Sequence, residues 1–262
     1  MKIALTSDLH LEFRGHQPLN LPTADVLVLA GDVLVAEDLR KPNPTDSRAQ
    51  RVQRYRSFLD SVAAQYAHVV YVAGNHEFYH GKFNQTLDIL RRETARYTNL
   101  YFLENNHIDI DNTRFLGGTL WTDCNNHDPQ TMLAMQYGLN DYNTIVNDVS
   151  GYTKLRPQHT LQRHIQTRNY IARNITHNTV VVTHHAPAPQ SIAPEYCDEY
   201  HLNGGYASDL TELILEHQPH TWLHGHMHHE VNYRVGETTV RCSPRGYPGQ
   251  NLHYAPQVFT LP

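Results

Sequence analysis

Cysteine is scarce. The chain has three in 262 residues, Cys124, Cys197 and Cys242, widely spaced and without a CxxC pair. An odd, dispersed set excludes a disulfide framework and a thiolate zinc site, and it fits a reducing, cytoplasmic setting. Long apolar runs are also missing. The longest, Val26 to Ala30, is the length of one strand, far short of the roughly 20 residues that cross a bilayer, so no membrane association is expected. The N-terminus MKIALTSDLH has no basic stretch leading into a long apolar one, and no signal peptide is expected. Positive charge is not in excess: 21 Lys and Arg face 26 Asp and Glu, a net charge of −5 with histidine neutral. That balance argues against a broad basic surface for nucleic acid, though not against a local one. Repeats and low-complexity linkers are absent.

What is abundant is histidine, with 20 residues. No terminal run of histidines exists, so they are not a tag. They are either incidental surface residues or metal ligands. With 40% apolar and 18% charged residues, a wholly disordered chain is excluded. The length allows one large domain or two small ones.

Short apolar strands alternate with amphipathic helices. Ile3 to Ser7, Val26 to Ala30 and Val69 to Ala73 are nearly continuous apolar runs, as strands buried on both faces require. Val52, Tyr55, Phe58, Leu59, Val62, Ala63 and Tyr66 share one helical face. A second helix is expected around Gln85 to Tyr97. The sequences HIDI-DN-TRFL and VNYRV-GE-TTVRC read as hairpins, turned at Asp111-Asn112 and at Gly236. Helices around Thr160 to Asn174 and Ser208 to His217, and strands Thr179 to Thr183 and Thr221 to His224, complete the second half. The order implies an α/β fold with helices covering a central sheet. Two long irregular stretches, residues 123–159 and 186–207, are rich in Tyr, Asn and Pro. Stretches that long are functional or hold short helices of their own.

Five short motifs lie where strands run out into loops: Asp8-Leu9-His10, Gly31-Asp32, Gly74-Asn75-His76-Glu77, Thr183-His184-His185 and Gly225-His226-Met227-His228. In open α/β sheets the ligand crevice lies outside the carboxyl ends of the strands. These strand ends would bring carboxylates, an amide and several imidazoles to one place. In extended backbone residues i and i+2 face the same side, so Asp8 with His10, and His226 with His228, can each aim two ligands at one site. Gly31 and Gly74 leave room for sharp turns beside a crowded centre. Oxygen and nitrogen donors without thiolate suit Mn, Fe, Co, Ni or Zn. So many ligands suit a metal pair about 3.5–4 Å apart better than one ion, with one Asp as bridge. Each motif alone has many chance matches; all of them in this order, at strand ends, do not.

The set resembles the signature of the calcineurin-like metallophosphoesterases: Asp-x-His, Gly-Asp, Gly-Asn-His-Asp/Glu, His, Gly-His-x-His, matched in order from Asp8 to His228. The resemblance implies a single domain over residues 1–262 with a four-layer α/β/β/α sandwich, two mixed sheets flanked by helices. It implies two divalent ions, one held by Asp8, His10 and His228, the other by Asn75, His184 and His226, with Asp32 bridging. It implies that His76 is no ligand but sits over the phosphate and protonates the leaving oxygen. A metal-bridging hydroxide would attack phosphorus in line. Glu77 could orient a ligand or His76, or simply face solvent. His185 and His224 flank ligands; simple packing is expected of His224.

The Ser/Thr protein phosphatases of this family carry Gly-Asp-x-x-Asp-Arg-Gly and an Arg before Gly-Asn-His-Glu. This chain has Gly31-Asp32-Val33-Leu34-Val35-Ala36 and Val72-Ala73-Gly74 instead. Losing both basic clamps favours a phosphodiester of a nucleotide or small molecule over a phosphoprotein or other monoester. Arg245 and Arg14 are candidate replacements, though solvated surface positions are expected of both. Tyr137, Tyr142, Tyr152, Tyr196, Tyr200 and Tyr206 lie in or beside the two inserts, which could form a lid. Their rings could stack on a base or aryl group, but packing within the loops is the expected role. A monoesterase, a nuclease of the same superfamily and a non-catalytic metal-binding scaffold are the alternatives.

Overall fold

The computed structural model describes residues 1–40, 47–148 and 153–261. Its strands are β1 (Lys2–Thr6), β2 (Val26–Ala30), β3 (His68–Val72), β4 (Leu100–Leu103), β5 (Asn106–Ile110), β6 (Thr113–Gly118), β7 (Val146–Asn147), β8 (Thr153–Lys154), β9 (Thr179–Thr183), β10 (Thr221–His224), β11 (Val231–Val235), β12 (Thr238–Cys242) and β13 (Gln257–Thr260). The helices are α1 (Ser47–Gln65), α2 (Gln85–Thr94), α3 (Cys124–His127), α4 (Pro129–Gly138), α5 (Asp141–Thr144), α6 (Pro157–Asn174), α7 (Tyr200–Asn203) and α8 (Thr211–His217). One sheet runs β13-β1-β2-β3-β4, the other β11-β12-β10-β9-β6-β5. In the first, β1 to β4 are parallel and β13 is antiparallel to β1. In the second, β12, β10, β9 and β6 are parallel, flanked by the hairpin strands β11 and β5.

Strand periodicity explains the layers. Val26, Val28 and Ala30 of β2, with Val70 and Val72 of β3, face Phe115, Val180, Val182 and Leu223 of the other sheet. The alternate residues Leu27, Leu29, Val69 and Tyr71 pack on Val52, Tyr55, Leu59 and Val62 of α1. On the far side Leu116, Val181 and Trp222 pack on Ile171 of α6 and Ile214 of α8. Each sheet is therefore covered on both faces, as its unbroken apolar runs require. The result is the expected α/β/β/α sandwich. Burying each such side chain contributes about 1.5–3 kcal/mol, so the sheets form a rigid platform for their carboxyl ends.

Both hairpins form at the expected turns, with positive φ at Asp111 (45°), Asn112 (64°) and Gly236 (57°). Within the two large sheets, two strands went unread, β4 and β13. Each is four residues long, and in β13 only partly and fully exposed residues alternate. The first irregular stretch holds α3, α4, α5 and the small β7–β8 ladder, and it runs into α6. The second holds α7 and two 3-10 turns. Tyr152 lies outside the described residues. The three cysteines are free. Among the described residues no helix is long and apolar enough to cross a membrane.

Candidate metal centre

The motifs converge at the carboxyl edge that the two sheets share. Asp8 and His10 follow β1, Asp32 follows β2, and Asn75 and His76 follow β3; His184 follows β9, and His226 and His228 follow β10. Single donor atoms of Asp8, His10, Asp32 and His228 lie within 4.8 Å of one another, as do those of Asp32, His184 and His226. Asp32 is common to both groups. Its Oδ1 stands 3.4 Å from His184 Nε2 and its Oδ2 3.9 Å from His10 Nε2.

The extended i, i+2 reading of the pairs is corrected by the backbone. Asp8, His10, Asp32, His226 and His228 have φ of 53°, 45°, 54°, 70° and 50°. The chain has already left the strand, and left-handed turns aim the side chains. His226 and His228 thereby go to different groups rather than to one. Such conformations cost on the order of 1–3 kcal/mol each and persist only where the surroundings impose them. Glycine supplies the clearance. A Cβ on Gly31 (φ +86°) would overlap the His184 ring, and one on Gly74 would overlap the Asp32 carboxylate.

The hydrogen bonds fix which ring nitrogen faces inward. His184 Nδ1 donates to Ala30 O at 2.9 Å, which leaves the Nε2 lone pair 3.0 Å from Asn75 Oδ1. The Asn75 amide is oriented by its Nδ2, which donates to Asp141 Oδ1 at 2.8 Å. His10 Nδ1 lies 3.2 Å from Glu12 Oε1 and His228 Nδ1 2.8 Å from Gln250 Oε1. With both Nδ1–H groups donating outward, two Nε2 atoms face each other at 3.1 Å. His226 Nε2 is buried with no protein partner. Acceptor facing acceptor, and an orphaned nitrogen, are what cations at both groups would satisfy. The residues present fit divalent metals.

A proton on an inward-facing ring nitrogen answers the same need as a cation: against burial, the charge of Asp32 pushes His184 up to about 10. Burial alone would raise the Asp32 carboxyl, but the charges of His184 and His76 hold it well below its usual value. Burial is likewise outweighed at Asp8, chiefly by His228. Against burial, the charges of Asp32 and Glu12 push His76 up to about 9. His76 Nδ1 is 2.8 Å from Glu12 Oε1, its Nε2 is 3.2 Å from the Tyr247 hydroxyl, and its ring stacks on Tyr79 at 4.1 Å.

Several neighbours have roles the sequence did not disclose. Glu77 neither faces solvent nor orients His76. It is fully buried and accepts from the backbone N–H of Asp32 (3.0 Å), Val33 (2.7 Å) and Gly74 (2.6 Å) and from Tyr71 OH (2.7 Å). It ties the two central ligand loops together. Burial and the charge of Asp32 push its carboxyl up to about 7. His224 is a packed residue, bonded to Ser191 Oγ and Gly225 O. His185 is buried at 4.4 Å from the His226 ring, its Nδ1 on Thr119 O. Arg245 is not a solvated surface residue: it is 8% exposed. Its Nη2 donates to Gln17 O, while Arg14 pairs with Gln50 at the surface. Glu12, two residues past His10, could have been suspected from its spacing. Asp141, Tyr247 and Gln250 carry no local signal, because only the folded loops bring them here.

A cavity of about 410 Å³ opens over the two groups. Leu139, Asn140 and Asp141 from one irregular stretch and Ile192, Tyr196 and Tyr206 from the other help to line it. Tyr206 lies 4.9 Å from the His226 ring. Tyr142 is core, whereas Tyr137 and Tyr200 are exposed outside the cavity.

A carboxylate and imidazole cluster at the shared strand ends of an α/β/β/α sandwich is the architecture of a metal-dependent phosphoester hydrolase. The chain belongs to the calcineurin-like phosphoesterases, whose family model matches residues 1–230. It is similar to an uncharacterised protein of Acanthamoeba polyphaga mimivirus, 25% identical over 97% of this chain and 94% of that one. An uncharacterised metallophosphoesterase of Campylobacter jejuni subsp. jejuni is 31% identical over 42% of this chain and 27% of its own length. Among solved structures, a phosphopantetheinyl hydrolase of Mycobacterium tuberculosis superposes with a TM-score of 0.66 at 16% identity, over 95% of this chain and 91% of that one. At that identity the likeness concerns the fold.

Proposed function

We propose that the protein is a dinuclear phosphodiesterase acting on a nucleotide or another small phosphodiester. Asp8, His10 and His228 would hold one divalent ion, Asn75, His184 and His226 the other, with Asp32 between them. The ions (Mn, Fe, Ni, Co or Zn) supply Lewis acidity and a water that ionises near neutral pH. His76 is the proton donor. Glu12 fixes Nδ1, so Nε2 is the atom that gives its proton to the departing oxygen. The site belongs to one domain, and the inserts 123–159 and 186–207 act as the walls that receive the ester groups. Three free cysteines suit a reducing cytoplasm.

One observation carries the choice of a diester. Among the described residues no Lys or Arg lines the cavity, while Asp141 and Glu199 do. A monoester dianion would meet these carboxylates without the clamps that offset its second charge; a diester monoanion meets less repulsion. The same lining disfavours a nuclease, which needs a basic track for its polymer.

The test is an assay of aryl phosphate mono- and diesters with cyclic and linear nucleotides, after chelation and reloading with each metal. Diesters should be turned over with at least tenfold higher kcat/KM than the matched monoesters; the reverse order overturns the reading. Asp32→Ala should lose metal and activity together. His76→Ala should keep the metals and lose about 10²–10⁴-fold in rate. A His76→Ala protein stripped of metal would refute the role given to His76.

A further inference from the structure

Arg245 is a cation almost wholly withdrawn from the surface. It follows Pro244 in the loop after β12 and is 8% exposed. Its backbone is fixed, with Arg245 N donating to Ser7 O at 3.0 Å and Gly246 N to Asp8 O at 3.0 Å. Among the described residues its guanidinium has one hydrogen bond, to the Gln17 carbonyl. Among the described residues no carboxylate lies within ion-pair distance of it. A guanidinium carries five N–H donors, and burying a charge is costly unless a counter-charge is present.

The group does not point into packed core. It lines a second cavity of about 140 Å³ with Gly15, His16, Gln17, Asn251 and Tyr254. One water needs about 10–15 Å³ on this measure, so there is room for a tetrahedral oxyanion or a carboxylate. The lining holds no Asp or Glu. His16 adds no free donor, since its Nε2 donates to the His10 carbonyl at 3.2 Å, so the positive charge there is that of Arg245. The cavity is thus positive in a protein of net charge −5.

It also adjoins the metal centre. Tyr247 lines both cavities, and its ring stands 4.5 Å from that of His10 and 4.6 Å from that of His228. Tyr247 is thus the residue the two linings share.

We infer that the Arg245 cavity is an anion subsite that takes a carboxylate or phosphate group beside the metal centre, supplied by the far end of the substrate. This rests on the phosphodiesterase reading for its kinetic test, but not for its binding test. The kinetic arm compares two p-nitrophenyl phosphodiesters in the reloaded enzyme, one with a neutral alkyl group, the other with the same group ending in a carboxylate. The carboxylate-tailed ester should have at least tenfold higher kcat/KM, and Arg245→Gln should reduce that ratio to near one. Arg245→Lys should keep part of it, which separates lost charge from lost folding. Sulfate should compete only with the tailed ester. If sulfate instead changes both esters alike through Arg245, the anion is a free effector and not part of the substrate, and that assignment fails. Equal rates for both esters in the wild type also overturn it. The binding arm follows unfolding temperature against sulfate, with sodium chloride as control. Wild type should gain more than Arg245→Lys and Arg245→Gln; equal gains would eliminate the anion site. An enzyme inert to every phosphoester that still binds sulfate through Arg245 would refute the phosphodiesterase reading alone.

Discussion

At the scale of single residues, the centre depends on what is missing as much as on what is present. Gly31 leads into Asp32 with φ +86°, and the space a Cβ would fill is taken by the His184 ring. Gly31→Ala therefore adds left-handed strain to a clash with a group that has nowhere to go. The cost should be on the order of 3 kcal/mol, read as a lower midpoint in urea, with metal affinity falling at the same time. A variant of wild-type stability and metal content would show that the loop can relax, and the tight cradle would be wrong. The ligand types were legible in the sequence because each motif is a local string at a strand end. The left-handed backbone was not: nothing in Asp8-Leu9-His10 or His226-Met227-His228 distinguishes an extended pair from a turned one until the neighbouring loops pack. Glu77 shows the same limit. It sits inside a recognised motif, yet its work is to gather N–H groups from two loops, Asp32, Val33 and Leu34 lying 43 to 45 positions away and Gly74 three positions away.

At the scale of elements, strands buried on both faces were read directly. Val26–Ala30, Thr179–Thr183 and Thr221–His224 are apolar or β-branched runs with clear ends, and the structure gives them those bounds. The short helices of the first insert carry no such periodicity; α4 has only a local start, Asp128 accepting from Gln130 N and Thr131 N with Pro129 in the first turn. Helix α6 makes a separate prediction. His164, 2% exposed, leaves Nδ1 without a partner, and its ring stands against the backbone of Leu120 and Trp121. Burial lowers its pKa from 6.5 to about 4. The unfolded chain then takes up the proton first. Stability is full above the unfolded value, falls as pH drops below it, and levels off below about 4. By about pH 5 the loss from this group should approach 2 kcal/mol. The measurement is urea unfolding of wild type and His164→Phe at about pH 7.5 and pH 5. The variant should lose less stability over that interval. Equal losses would mean that His164 is solvated on a timescale its burial does not suggest.

At the scale of the whole molecule, the sandwich was legible because both sheets announce two buried faces, but the relation between the sheets was not. Their shared edge is where it matters. Asp8, His10, Asp32 and Asn75 come from loops of one sheet, and His184, His226 and His228 from loops of the other. Metals held by the two groups would therefore join two layers that otherwise meet through apolar side chains such as Val28 and Val182. Binding to the folded state alone stabilises by about 2.7 kcal/mol at a hundredfold excess over Kd. For a chain of this length that corresponds to roughly 5–10 °C in Tm. Titrating Mn or Zn into chelator-treated protein should raise Tm by that order, and the rise should continue with concentration beyond saturation of the sites. Asp32→Asn, which weakens both groups at once, should remove most of the gain, whereas His76→Ala should retain it. A Tm indifferent to metal, or a gain that survives Asp32→Asn intact, would mean that the metals bind elsewhere than across the two sheets.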